Sequence, residues 1–119
     1  MQVLLVEDAD DYARMLMVLL EKEGIKVRRL KTGEEALDFL RSNTLPPLLI
    51  TDVMMPGISG FELLAKLKEE KIMPLTIVLT GQRNEEDVLR GISLGAIDYI
   101  TKPFSPAVVV AKVKAALFG

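Results

Sequence analysis

Leu48-Leu49-Ile50-Thr51-Asp52, running into Val53-Met54-Met55-Pro56-Gly57-Ile58-Ser59, is the stretch on which the fold turns. Its residues up to Thr51 show no alternation of apolar and polar, the pattern of a strand buried on both faces of a parallel sheet. Asp52 then sits at the strand's C-terminal edge, where open α/β sheets bind ligands. Two other apolar runs end in chemistry of their own. Val3-Leu4-Leu5-Val6 leads into Glu7-Asp8, and Ile97-Asp98-Tyr99-Ile100-Thr101 leads into Lys102-Pro103. Three acids and a lysine converging on one rim point to a divalent cation and a phosphoryl group.

Outward from that stretch, apolar strands alternate with amphipathic helices. The pattern predicts strands near 2–6, 26–30, 48–52, 75–79 and 97–101, and helices near 10–23, 33–42, 60–70, 84–94 and 106–117. Thr32-x-x-Glu35, Ser59-x-x-Glu62 and, more weakly, Asn84-x-x-Asp87 resemble capping boxes. Ser105-Pro106 places proline at a first helical position, and Gly24 and Gly95 follow helix ends as left-handed caps. Asp8 and Asp10 are candidate caps of the first helix. Five βα units imply a parallel sheet covered by helices on both faces, and Lys26-Val27-Arg28-Arg29-Leu30 is polar enough for an edge strand. In the first helix, Tyr12, Met15, Leu16, Leu19 and Leu20 form an apolar stripe assigned to the core, leaving Ala13 and Met17 off it.

Composition narrows the functions. With 119 residues the chain is read as one domain, residues 1–119. Its net charge of −2 gives no case for binding nucleic acid or an anionic membrane. There are no cysteines and no histidines, which removes thiolate and imidazole ligands and any imidazole base. The lack of cysteine fits a reducing cytoplasm. No apolar run reaches the roughly 20 residues of a membrane span, and a first strand from residue 2 leaves no leader expected.

The acids explain one another. Glu7, Asp8 and Asp52 would repel when ionised, and a hard cation taking oxygen ligands resolves the conflict. Lys102 is a mobile point charge able to pair with Asp52 or with an added phosphoryl group. Thr80-Gly81, ending the strand Leu75-Thr76-Ile77-Val78-Leu79, offers a hydroxyl beside an open backbone N–H. Any one of these residues alone is commonly a turn former or a solvated side chain. Four independent strand ends carrying them together is not.

Glu7-Asp8, Asp52 with Pro56-Gly57 and Gly60, Thr80-Gly81, and Tyr99 followed by Lys102-Pro103-Phe104 together resemble bacterial response-regulator receiver domains, over essentially the whole chain. The resemblance implies a flavodoxin-like (βα)5 sandwich with sheet order 2-1-3-4-5. It implies that Asp52 accepts a phosphoryl group from the phosphohistidine of a sensor histidine kinase or phosphotransfer protein. Asp8, Asp52 and the Met54 carbonyl would bind Mg2+, or Mn2+ in its place, with Glu7 helping through water. Lys102 would clamp the phosphoryl group, Thr80 would swing toward it, and Tyr99 would turn inward. The Lys102-Pro103 bond should be cis. Glu7 stands where aspartate is commoner. Met54 and Gln82 occupy positions that tune dephosphorylation, and Met54 cannot relay a proton, so fast self-dephosphorylation is not expected.

That same residue argues against an aspartate-nucleophile phosphatase, which needs a second aspartate two positions after the first. A flavodoxin-like electron carrier needs a phosphate loop where Glu7-Asp8-Ala9-Asp10 would repel phosphate. A receiver-like module working without phosphorylation would be expected to have lost Asp52 or Lys102. Activity beyond the chain's own phosphorylation and hydrolysis is not expected. Two partner surfaces are predicted. Ala13 and Met17 would dock the kinase's helical bundle. Leu89, Ile92 and Ala111, flanked by Glu86, Asp98, Lys112 and Lys114, resemble the dimer face, built of the fourth helix, fifth strand and fifth helix, of regulators carrying a winged-helix DNA-binding domain. There Asp98 would pair with Lys112 and Glu86 with Lys114 across a two-fold axis, while Val88 and Val108 replace a third, charged pair.

Overall fold

The computed structural model describes residues 1–81 and 85–119. The elements alternate: β1 (Val3–Val6), α1 (Asp10–Lys22), β2 (Val27–Leu30), α2 (Gly33–Ser42), β3 (Leu48–Asp52), α3 (Gly60–Glu69), β4 (Leu75–Thr80), α4 (Glu85–Ser93), β5 (Asp98–Thr101) and α5 (Pro106–Phe118). The strands form one parallel sheet in the order β2-β1-β3-β4-β5, the expected flavodoxin-like arrangement with the polar β2 at an edge. Among the described residues no helix is long and apolar enough to cross a membrane.

Strand periodicity sorts the core into two layers. Val3 and Leu5 of β1, Leu48 and Ile50 of β3, Ile77 and Leu79 of β4, and Ile100 of β5 pack against α1 and α5. Leu4, Val6, Leu49 and Val78 turn the other way, onto α2 and α3. The central strands therefore read as continuous apolar runs because both of their faces are covered. Truncating Leu49 or Ile50, both wholly buried, to alanine should cost about 2–5 kcal/mol. The α4 helix contributes a single buried residue, Gly91, which rests against Phe61 and Val78.

Helix boundaries follow local chemistry with some exceptions. Ser59 and Glu62 form a complete capping box at α3. Thr32 accepts from the Glu35 N–H, but Glu35 receives the Thr32 hydroxyl instead of reaching back to the cap backbone. Gly24 and Gly95 close α1 and α4 with φ of 75° and 105°, which glycine alone adopts without strain. Pro106 opens α5, yet Ser105 makes no side-chain capping bond. Neither Asp8 nor Asp10 caps α1: its N-cap is Ala9, and Asp10 and Asp11 lie in the first turn, where the helix dipole favours them. The Asn84–Asp87 box and Gln82 involve positions outside the described residues.

The α1 helix is turned from the expected orientation. Ala13, Leu16 and Leu20 are its buried residues, whereas Met15 is 49% exposed and Tyr12 and Leu19 are half-buried. Both candidate stripes share Leu16 and Leu20, so hydrophobic periodicity cannot separate them. Contacts outside the helix can. The small Ala13 side chain faces the core, while the amphipathic Tyr12 ring lies at the rim, edge-on to Phe104 with centroids 5.3 Å apart.

Candidate functional site

Glu7, Asp52 and Lys102 meet because they share a strand parity. Leu5 pairs with Ile50, and Ile100 lies on the same face of the sheet, so the residue two positions beyond each emerges on the α1/α5 side. The ladder carries that geometry past the strands: the Glu7 N–H donates to the Leu30 carbonyl at 3.1 Å, and the Lys102 N–H to the Thr80 carbonyl at 2.8 Å. Lys102 Nζ donates to Asp52 Oδ2 at 3.0 Å and touches Glu7 Oε1. The Lys102-Pro103 bond is cis, as expected. Asp8, of opposite parity, leaves the strand line and is exposed, whereas Glu7 is fully buried and Asp52 nearly so.

One carboxylate oxygen from each of Glu7, Asp8 and Asp52 lies within 4.8 Å of the others. Glu7 Oε1 is buried without a well-aligned hydrogen-bond donor, while Oε2 accepts from the Ala9 N–H at 3.3 Å. Burial pushes the Glu7 carboxyl up to about 7; the Lys102 ammonium opposes the rise, and Asp52 adds to it. Burial disfavours the charge on Lys102 too, but the Glu7 and Asp52 carboxylates hold its ammonium above the ordinary lysine value. A convergent set of hard carboxylate oxygens, two of the three acids buried and held against a single ammonium, fits a divalent cation such as Mg2+.

Lys102 has a further neighbour. Its Nζ lies 4.3 Å from the centroid of the Tyr12 ring, within cation–π range. Tyr12 was expected in the core, and its contact with Lys102 was not foreseen.

Thr80 and Tyr99 occupy the opposite parity. Val78 pairs with Tyr99, and Thr80 continues the face that packs on α3. Both line a narrow, mainly apolar crevice with Phe61, Val88 and Ile92. Thr80 is buried and Tyr99 half-exposed.

The β3–α3 loop is set by two glycines. A Cβ on Gly60 would collide with the Asp52 carbonyl oxygen and come within 2.9 Å of Val53 Cα, so α3 can start against the Asp52 backbone only with glycine there. Gly57 has φ of 77° and lies against the Glu34 carboxylate, which also accepts from the Ile58 N–H at 3.2 Å. Met54, 78% exposed, follows with its N–H 3.4 Å from Asp52 Oδ1.

The first of the two expected partner surfaces comes out differently from expectation. Ala13 is 1% exposed and cannot dock a partner. Met17 is half-buried beside an open groove lined by Arg14, Val18 and Glu21, and the exposed apolar residues of α1 are Met15 and Val18. On the second surface Leu89, Ile92, Val108 and Ala111 are exposed and Val88 is half-exposed. Within the chain its basic residues hold carboxylates, Lys112 on Asp98 at 3.0 Å and Lys114 on Glu23 at 2.6 Å. Lys112 also donates to the Tyr99 carbonyl at 2.6 Å and lies over the Tyr99 ring.

Sequence reasoning also missed Arg29, on β2. Its Nε donates to the Glu7 carbonyl at 2.8 Å and its Nη2 pairs with Asp10 Oδ1 at 2.9 Å. The available signal was positional: an arginine near the C-terminal end of β2 lies beside the end of β1, where the acids begin.

Known proteins with this arrangement are numerous. The profile of the response regulator receiver domain matches residues 3–114. The alkaline phosphatase synthesis transcriptional regulatory protein PhoP of Bacillus subtilis is 40% identical over 116 residues, 98% of this chain and 48% of its own length. Regulatory protein VanR of Enterococcus faecium is 37% identical over 98% of this chain and 49% of its own. The chain thus spans about half the length of these curated relatives. A putative response regulator from Chloroflexus aurantiacus superposes with a TM-score of 0.86 at 39% identity, covering 98% of this chain and 97% of that one. A Francisella response regulator receiver domain gives 0.90 at 30% identity, covering 97% and 94%. With the profile spanning nearly its whole length, and the acids and lysine of three strand ends gathered on one rim, the chain belongs to the receiver domains of two-component response regulators.

Proposed function

We propose that residues 1–119 act as one receiver module in which Asp52 is the phosphoacceptor. The observation that carries this is the junction of Asp52, Glu7 and Lys102 on a single sheet face, with Asp8 beside it. An Asp52 carboxylate oxygen attacks the phosphorus of a phosphohistidine on a sensor kinase or phosphotransfer protein. The P–N bond breaks, a P–O bond to the carboxylate forms, and the leaving imidazole takes up a proton. Glu7, Asp8, Asp52 and the Met54 carbonyl are the residues that would hold Mg2+ or Mn2+, which when bound offsets the charge gathering between nucleophile and phosphoryl group. Lys102, already on Asp52 Oδ2, follows the negative charge onto the phosphoryl oxygens.

Phosphorylation replaces the single charge of the Asp52 carboxylate with the nearly two charges of a phosphoryl group, a net gain of about one negative charge placed farther out on the rim. Thr80 then hydrogen-bonds the phosphoryl group, and Tyr99, across the Val78 pairing, turns into the crevice between β4 and α4. The α4–β5–α5 surface changes shape and favours a homodimer, the output being a winged-helix DNA-binding domain in a cytoplasmic transcription regulator. Hydrolysis of the acyl phosphate is self-catalysed and slow, because Met54 offers no proton relay. The same methionine leaves an aspartate-nucleophile phosphatase without its second acid.

Intact mass after acetyl phosphate and Mg2+ tests the chemistry. A gain of about 80 Da, the mass of a phosphoryl group, is expected and should be absent in Asp52→Asn. An unchanged mass in the native protein sinks the reading. Sedimentation with and without beryllofluoride tests the dimer, which predicts association only with the phosphoryl mimic.

A further inference from the structure

Arg29 lies on an edge strand, where a solvated arginine is the ordinary expectation, yet its side chain is only 17% exposed. Its neighbour Arg28, of opposite parity, stacks over Phe39 at 5.0 Å on the far side of the sheet. Arg29 instead crosses the end of β1. Nε donates to the Glu7 carbonyl at 2.8 Å, Nη2 reaches the Asp8 carbonyl at 3.3 Å, and the same nitrogen pairs with Asp10 Oδ1 at 2.9 Å.

These contacts fall on a segment that is hard to order. Glu7, Asp8, Asp10 and Asp11 place four acids within five residues, and their mutual repulsion favours an open loop. The chain must also turn so that Glu7 points inward while Asp8 emerges over the rim. A planar guanidinium fixing two successive carbonyls holds the backbone at that turn, which a single-point ammonium cannot do.

We propose that Arg29 is a positioning residue for the metal-binding acids: it pre-forms the loop that carries Glu7 and Asp8, so that binding a divalent cation needs little further ordering. The inference rests on the receiver reading of the rim. It also makes a prediction of opposite sign to plain electrostatics. A fixed positive charge beside a cation site weakens cation binding, so a role through charge alone means that neutralising Arg29 tightens Mg2+. A role through positioning means that neutralising it loosens Mg2+. Lysine, which keeps the charge without the fork, loosens it as well.

The experiment is an Mg2+ titration of the native protein, Arg29→Gln and Arg29→Lys, followed by amide NMR shifts of residues 7–9, with hydrogen exchange of those amides in metal-free protein. Both variants should bind Mg2+ about tenfold more weakly, the effect typical of losing a group that orients metal ligands. Their loop amides should exchange faster, and acetyl phosphate labelling should recover at saturating Mg2+. Asp10→Asn, which keeps the carbonyl contacts, should shift the affinity less, and Lys31→Gln, on the exposed 3.4 Å contact to Asp10, less than about twofold. Tighter or unchanged binding in Arg29→Gln, or native affinity in Arg29→Lys, overturns the proposal. A native protein that takes up phosphoryl but whose loop amides are as open as the variants' overturns it too. A native protein that takes up neither Mg2+ nor phosphoryl overturns the receiver reading itself, and this inference with it.

Discussion

The two faces of the sheet reach the same rim with different equipment. On the α1/α5 side stand three ionisable groups, the buried Glu7 and Asp52 with the part-buried Lys102 in contact with both. On the other side stand Thr80 and Tyr99, uncharged, lining a crevice against the lightly packed α4. Adjacent residues of one strand point to opposite faces, so Thr80 sits beside Leu79 and Tyr99 beside Ile100 without sharing their surroundings. Chemistry can thus be confined to one layer while its consequence is read in the other. On the proposed function the covalent change would stay local, and α4, whose only buried residue among those described is Gly91, would be the part free to respond.

Breaking the chemical face should have the largest effect. Lys102→Ala should slow phosphorylation by acetyl phosphate by about a hundredfold, the order of losing one electrostatic stabiliser of a developing charge. It should also lower stability by about 2 kcal/mol, less than the 3–5 kcal/mol of a broken buried pair, because Glu7 can take up a proton instead. Rapid labelling of this variant would show that the lysine is structural only.

Glu7 gives the next effect, through pH. Its folded-state value of about 7 lies above the ordinary 4.5, so the folded protein prefers the protonated carboxyl. That contribution is fully present below pH 4.5 and is lost as pH rises through about 7. Cation binding needs the ionised form. Mg2+ affinity should therefore climb by up to about tenfold per pH unit below neutrality and level off above it. Glu7→Gln should flatten that slope, and a slope that survives the substitution would assign it to another group.

Tyr12→Leu removes the ring beneath Lys102 and should slow phosphorylation a few-fold, matching the ~0.5–1 kcal/mol of a partly exposed cation–π contact, with Tyr12→Phe near native. Tyr99→Ala, on the reading face, should change phosphorylation by less than about twofold, because its ring has no part in the charged cluster. The same substitution should suppress association with beryllofluoride. If Tyr99→Ala and Lys102→Ala slow labelling equally, the division between the two faces fails.

How far the sequence carried this reading depended on the range of each contact. Strand runs, helix periods and the Ser59 capping box are local, and the observed elements lie within two residues of those predicted. The rim residues were legible because a parallel sheet brings all strand ends to one edge. The rotation of α1 was not, since its two candidate stripes share Leu16 and Leu20 and the deciding contacts come from Phe104 and Lys102. Nor were the partners of Lys114 and Arg29. Glu23 and Asp10 are distant in sequence from the charges they pair with, and several acids were equally plausible on sign alone.

Lys112 and Lys114 already hold carboxylates inside the chain. A two-fold assembly that used them would exchange intramolecular ion pairs for intermolecular ones, leaving their number unchanged. Its affinity would then rest on closing Leu89, Ile92, Val108 and Ala111 away from water. Such an assembly should respond little to added salt and should show the negative heat capacity of apolar burial.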